Sequence, residues 1–175
     1  MKKFLDEWLS YIIIIVIVII VRTYFFTPVV VRGSSMENTL FNGQVLLLNK
    51  INYRFNDIKR FDIIVIKEDK NLIIKRVIGI PGDYVKYEDN VLYVNGKEIS
   101  KDYAYTNTND FDLEDICDIN DTKCDGKIPD NMYLALGDNR VVSADSRARG
   151  LFSKKQILGK TTIRLWPFNK FGKIE

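Results

Sequence analysis

Phe61-Asp62-Ile63-Ile64-Val65-Ile66-Lys67-Glu68-Asp69-Lys70-Asn71-Leu72-Ile73-Ile74-Lys75-Arg76-Val77-Ile78-Gly79-Ile80-Pro81-Gly82-Asp83 is the stretch that decides the fold. Two β-branched runs, 63–66 and 72–78, flank the polar Glu68-Asp69-Lys70-Asn71. Each run is shorter than an ordinary helix and too rich in Ile and Val to favour one. The stretch therefore reads as two strands joined by a turn. In the second strand Lys75 shares a face with Ile73 and Val77, and Arg76 shares the other with Ile74 and Ile78. Charges on apolar faces demand a reason.

Outward from this hairpin the same punctuation recurs. Short apolar runs stand at Val29–Val31, Val45–Leu48, Tyr84–Tyr87, Val91–Val94, Lys97–Ile99, Met132–Leu136 and Thr161–Trp166. Asn95-Gly96 between two of them is a strong hairpin signal. The expected fold class is mainly β, with residues 27–175 forming an all-β module without internal repeat or coiled coil. From Asp102 to Asp130 nine acids face two bases, a net of −7 in a chain of net charge +3, so the rest carries +10. This acidic segment, at about 102–130, has few apolar residues and reads as a surface insert. Its two cysteines, Cys117 and Cys124, can close a small loop if the module lies outside the cytosol. The spacing alone does not separate a bridge from two free thiols.

Residues 1–26 read as a short cytoplasmic tail and a single membrane anchor. Trp8–Val21 are fourteen residues without a charge behind Lys2 and Lys3, about 21 Å of helix. Continuing through Arg22 to Phe26 brings the length to roughly 28 Å, near the thickness of a hydrocarbon core, with Arg22 snorkelling beside Tyr24. The following R-T-Y-F-F-T-P offers no small-x-small cleavage site. Pro28 ends the helix.

Among 175 residues there is no histidine, which excludes Ser-His and Cys-His pairs and His-ligated zinc. The two cysteines lack redox or four-ligand metal spacing, so neither metal nor cofactor is expected. A net charge of +3 does not point to nucleic acid, while a basic body suits an anionic lipid surface. Proton chemistry falls to Lys, Asp, Glu, Tyr or Cys. A lysine among apolar neighbours loses its proton more readily than the free amine, and the neutral amine can take the proton of a serine hydroxyl. Three polar stretches can supply such a pair: Gly33-Ser34-Ser35-Met36-Glu37-Asn38-Thr39-Leu40, the lysine strand, and Gly137-Asp138-Asn139-Arg140-Val141-Val142-Ser143-Ala144-Asp145-Ser146-Arg147.

These three stretches, in this order, resemble the signature motifs of bacterial type I signal peptidases, in their Gram-positive branch. The resemblance runs from the anchor to W-P-F-N near the C-terminus, outside the acidic insert. It implies Ser35 as nucleophile, with its backbone N–H in the oxyanion site, and Lys75 as general base. It further implies Ser143 as the residue that orients the lysine, Asp138 as the partner of Arg76, and Asp145 with Arg147 as a structural ion pair. Gly33 stands where some members place a serine hydroxyl, so the second oxyanion donor stays unassigned. Asn38 replaces the usual proline, and Phe61 the glycine often found before the aspartate of the hairpin.

The implied activity is removal of signal peptides from exported preproteins by acyl transfer, with small residues at the first and third positions before the cut. The implied setting is the plasma membrane, N-terminus inside and catalytic module outside, with lipid and preproteins as partners and no obligate oligomer. Two other readings stand beside it: another Ser-Lys processing peptidase of the same clan, and a membrane-anchored β module that binds partners without catalysis.

Overall fold

The computed structural model describes residues 2–174, with side chains from Trp8 onward. A 23-residue helix, α1 (Lys2–Tyr24), leads into β1 (Phe26–Val30). Next come β2 (Val45–Asn49), a one-turn helix α2 (Asn52–Phe55), β3 (Ile63–Glu68), β4 (Asn71–Gly79), β5 (Val85–Glu88), β6 (Val91–Val94) and β7 (Lys97–Ile99). The insert contributes α3 (Leu113–Asp118). Then follow β8 (Met132–Leu136), α4 (Ser146–Arg149), β9 (Phe152–Ser153), β10 (Ile157–Trp166) and β11 (Gly172–Lys173).

Among the described residues eight strands form one antiparallel sheet in the order β1-β2-β10-β3-β4-β8-β9, with β11 paired to β10. The hairpin of β3 and β4 is its centre, with Ile64 opposite Lys75 and Ile63 opposite Arg76. Long β10 enters between β2 and β3, so the C-terminal segment, not the next strand in sequence, buries the second edge of β3. Both faces of β3 are then covered. Ile63 and Val65 join a cluster with Leu46, Leu48 and Met36, while Ile64 and Ile66 join one with Val77, Tyr133 and Phe152. That double burial explains a run of four apolar residues where a half-solvated strand would alternate.

The strands β5, β6 and β7 make a smaller antiparallel sheet. It packs through Val85, Tyr87, Leu92 and Val94 against Ile78, Leu134 and Leu136. The acidic insert is less of an excursion than its composition suggests. In α3 the apolar residues Leu113, Ile116 and Cys117 stand at helical spacing and enter this same core with Ile128, while Glu114, Asp115 and Asp118 face outward. Asp112 caps the helix in a reciprocal box with Asp115. A disulfide joins Cys117 to Cys124, with Cα atoms 6.1 Å apart.

Pro28 lies within β1, an edge strand, where a missing N–H costs no ladder bond. The large apolar side chains of α1 from Trp8 to Val21 are exposed. Among the described residues no helix is long and apolar enough to cross a membrane.

Candidate functional site

The segment after β1 folds into consecutive tight turns. Gly33, at φ +85°, starts them, and its N–H donates to Asn42 Oδ1 at 3.0 Å. Backbone bonds from Glu37 to Ser34 and from Thr39 and Leu40 to Met36 close the rest. Met36 and Leu40 are buried pegs that anchor this turn, and Ser35 beside them is half-buried. The peptide bond between Glu37 and Asn38 is cis. The Ser35 carbonyl accepts the Asn139 N–H at 3.0 Å, which fastens this turn to the loop after β8. Among the described residues the Ser35 N–H donates to no protein acceptor and its hydroxyl is unbonded.

Gly137 marks the crossing point. A Cβ added there would collide with the Ser143 hydroxyl and the Ser35 carbonyl oxygen, so only glycine lets the two loops meet. Ser143 in turn accepts a hydrogen bond from Lys75 Nζ at 3.0 Å. Ser35, Lys75 and Ser143, 108 residues apart at the extremes in sequence, are thus gathered around one glycine. Lys75 does not bond Ser35 directly; Ser143 holds the amine.

Lys75 is 3% exposed, on the β4 face it shares with Val77 and opposite Ile64. Burial is the main reason its pKa falls to about 8; the Arg149 and Arg147 guanidiniums push the same way, against Asp145 and Glu68. A pKa near 8 leaves roughly a tenth of the amine neutral at pH 7, against a few parts in ten thousand for an ordinary lysine. Burial opposes the charge of Asp145, yet the Arg147 guanidinium, the Gly137 N–H and the Ser143 hydroxyl outweigh it and hold the carboxyl below its usual range. Arg147 binds both Asp145 oxygens, at 2.9 and 2.8 Å, and the Gly137 N–H donates to Oδ2 at 3.0 Å. Asp145 also caps α4.

Arg76 points the other way and is saturated. Its Nε and one terminal nitrogen clasp Asp138 at 2.9 and 2.7 Å, and the pair is 3% and 1% exposed. Thr39 donates to Asp138 at 2.5 Å and accepts from Arg76 at 3.2 Å, while the Phe61 carbonyl takes another guanidinium proton. The Tyr103 ring lies 3.9 Å from the guanidinium carbon. Phe61 itself is left-handed, at φ +69°, a backbone state that glycine enters without penalty. Its ring packs on Tyr103 at 5.3 Å.

Arg140 escapes sequence reasoning. It is 2% exposed and donates to the Gly137 carbonyl, to Thr108 at 2.9 Å, to Tyr87 and to Asp102. Tyr87 donates to Asp102 in turn, and burial pushes its phenol pKa up. One guanidinium thus ties the acidic insert and the small sheet to the loop that carries Gly137. The only signal in the sequence is an arginine inside a polar motif; its side-chain partners lie 32 to 53 residues away.

A groove of about 540 Å³ runs beside this centre, between β1 and the turn end of the β3–β4 hairpin. Its walls are strand edges with open ladder positions. Among the described residues β1 pairs only with β2, and the β8 ladder on β4 begins at Arg76, leaving Asn71–Lys75 paired on one side only. No group of three or more metal-ligating side chains occurs among the described residues. A buried amine with lowered pKa, a serine with a free N–H and a groove with open strand edges can together perform acyl transfer on an extended peptide.

The chain is similar to known proteins. The family model described as "Signal peptidase, peptidase S26" matches residues 5–166. Signal peptidase IB of Staphylococcus aureus is 40% identical over 182 residues, covering 98% of this chain and 94% of its own length. Signal peptidase I of Bacillus caldolyticus is 40% identical over 163 residues, covering 86% and 85%. A crystal structure of a signal peptidase I from Enterococcus faecalis matches with 35% identity and a TM-score of 0.49, covering 60% of this chain and 97% of that one.

Proposed function

The chain belongs to the signal peptidase family, peptidase S26, and from that premise we propose that it removes signal peptides from preproteins through Ser35 and Lys75. It is an enzyme, a type I signal peptidase. In our reading the Ser35 hydroxyl oxygen attacks the carbonyl carbon of the scissile bond while neutral Lys75 takes the hydroxyl proton. The oxyanion is received by the free Ser35 N–H. As the tetrahedral intermediate collapses, the ammonium returns the proton to the leaving amine of the mature chain. The signal peptide stays as an ester on Ser35. Water then loses a proton to Lys75, attacks the ester, and the proton returns to the serine oxygen.

The observation that carries this reading is the buried Lys75 amine bonded to Ser143, whose side chain shares the Gly137 crossing with Ser35. Ser143 acts as the positioning residue for the amine. The Arg76–Asp138 and Asp145–Arg147 pairs fix the two loops on either side. In the groove the preprotein adds as an extended strand, with small residues before the cut fitting close to Ser35.

The finer placement is that residues 1–26 form tail and anchor, and residues 27–175 the catalytic module outside the plasma membrane. Its support is the run of uncharged, exposed side chains from Trp8 to Val21 in α1. The Cys117–Cys124 bridge suits an oxidising compartment. Alkaline extraction of membranes tests the anchor, which is refuted if the full chain is released as soluble protein. The catalytic reading is tested with a preprotein in detergent: Ser35→Ala should abolish product while the far-ultraviolet spectrum stays unchanged. Cleavage at the native rate by folded Ser35→Ala would refute the assignment.

A further inference from the structure

We propose that the groove between β1 and the β3–β4 turn reads charge in the substrate, favouring an acidic residue and disfavouring a basic one about five positions before the cut. The inference rests on the peptidase reading above and adds a selectivity to it. The groove's lining on β4, Asn71 to Ile73, stops two residues short of Lys75, which marks the reacting position on the same strand. From Lys75 to Lys70 along β4 and into its turn there are five residues, roughly 17 Å at the rise of a strand. A substrate strand lying along the same edge has the same rise, so its residue about five before the cut comes level with Lys70.

The walls there are of two kinds. Val30 and Leu72 are about half exposed and supply an apolar lining that does not distinguish charge. The charged lining consists of Arg32, Lys70, Arg149 and Glu68. Arg149 is already engaged: it pairs with Glu68, and its Nε donates to the Ala144 carbonyl at 3.2 Å. That pair fixes the wall and nearly cancels its own field. Arg32 and Lys70 have no acidic partner among the described residues, and both are exposed. The groove therefore presents two uncompensated cations to whatever occupies it, within the screening length of a strand laid between them. An added strand can be paired along its backbone by the open edges of β1 and β4 whatever its sequence, so side-chain charge is left to discriminate.

The test uses the full chain in a non-ionic detergent and three peptides identical except at the fifth residue before the cut, which is Asp, Asn or Lys. The expected order of kcat/KM is Asp, then Asn, then Lys, with about a tenfold spread between the extremes that contracts severalfold at high salt. Lys70→Gln should narrow the spread, and Lys70→Glu, which sets one new carboxylate against Arg32, should abolish it. Lys70 lies exposed in a turn, so these variants are expected to fold, and the ratio between peptides is independent of how much enzyme is active. Equal cleavage of all three peptides by the native chain, or the same spread in Lys70→Glu, would overturn the inference and leave the peptidase reading intact. Failure to cut any of the three would instead remove the peptidase reading and this inference with it.

Discussion

Lys75 and Arg76 are neighbours on one strand, equally buried, and treated in opposite ways. Arg76 is given a bidentate carboxylate, a threonine, a carbonyl and an aromatic face. Lys75 is given one neutral hydroxyl. The guanidinium keeps its charge at any working pH and so must be paired wherever it is buried. The amine can escape the cost of burial by losing its proton, and an environment that withholds partners makes that loss easier. The contrast separates the cation that holds the loops in place from the one suited to move a proton.

Removing each cation should break the comparison in opposite directions. Lys75→Met should lower preprotein cleavage by at least about a thousandfold, roughly 4 kcal/mol in transition-state stabilisation. It should leave the fold as stable as before or more so, because a poorly compensated charge is gone. Arg76→Met should do the reverse in kind, costing about 3–5 kcal/mol of stability by leaving Asp138 buried without its partner. Urea titration and cleavage assays on both variants check the pair. A Lys75→Met protein that is strongly destabilised, or an Arg76→Met protein with native stability, would erase the distinction.

The same contrast predicts a pH signature. Lys75 has a pKa of about 8 in the fold against 10.5 when unperturbed. Between those values the unfolded chain binds the proton and the folded chain does not, so stability rises with pH across that window. The penalty is fully present below pH 8 and relieved by about 3 kcal/mol as pH approaches 10.5. Comparing the native chain with Lys75→Met at matched pH isolates this slope, which should vanish in the variant. Cleavage should rise through pH 8 for the same reason. Ser143→Ala should slow cleavage by about ten- to a hundredfold through loss of orientation, and should move that midpoint lower, since the hydroxyl accepts from the ammonium and favours it. An unmoved midpoint would mean that Ser143 does not hold the amine.

What could be read from the sequence follows from range. The β3–β4 hairpin is legible because its run lengths, turn and composition all lie within twenty residues, and the odd placement of Lys75 and Arg76 is legible for the same reason. The three-motif resemblance names Ser35, Lys75 and Ser143 without saying what lets them meet. That role belongs to Gly137, whose missing side chain becomes informative only once the Ser35 carbonyl is known to lie against it. Strands β9 and β11 are two residues each and too short to show a period. The helix α3 has both a capping box and a buried face written in Asp112–Cys117, but the density of acids hides them. The entry of β10 between β2 and β3 is long-range pairing, and no local pattern announces it.

The smallest predicted effect bears on the side of the comparison where partners are plentiful. Thr39 donates to Asp138 and accepts from Arg76, yet both ions keep their bidentate contact without it. Thr39→Val keeps the side-chain shape and removes only the hydroxyl, so the expected cost is about 1–2 kcal/mol of stability, with the pH midpoint of cleavage unchanged. On the Lys75 side, loss of one hydroxyl should alter the reaction; on the Arg76 side, loss of one hydroxyl should alter only the melting point. If Thr39→Val instead shifts the pH profile as Ser143→Ala is expected to, the two faces of β4 are electrically coupled, and the division between a holding cation and a reacting one does not stand.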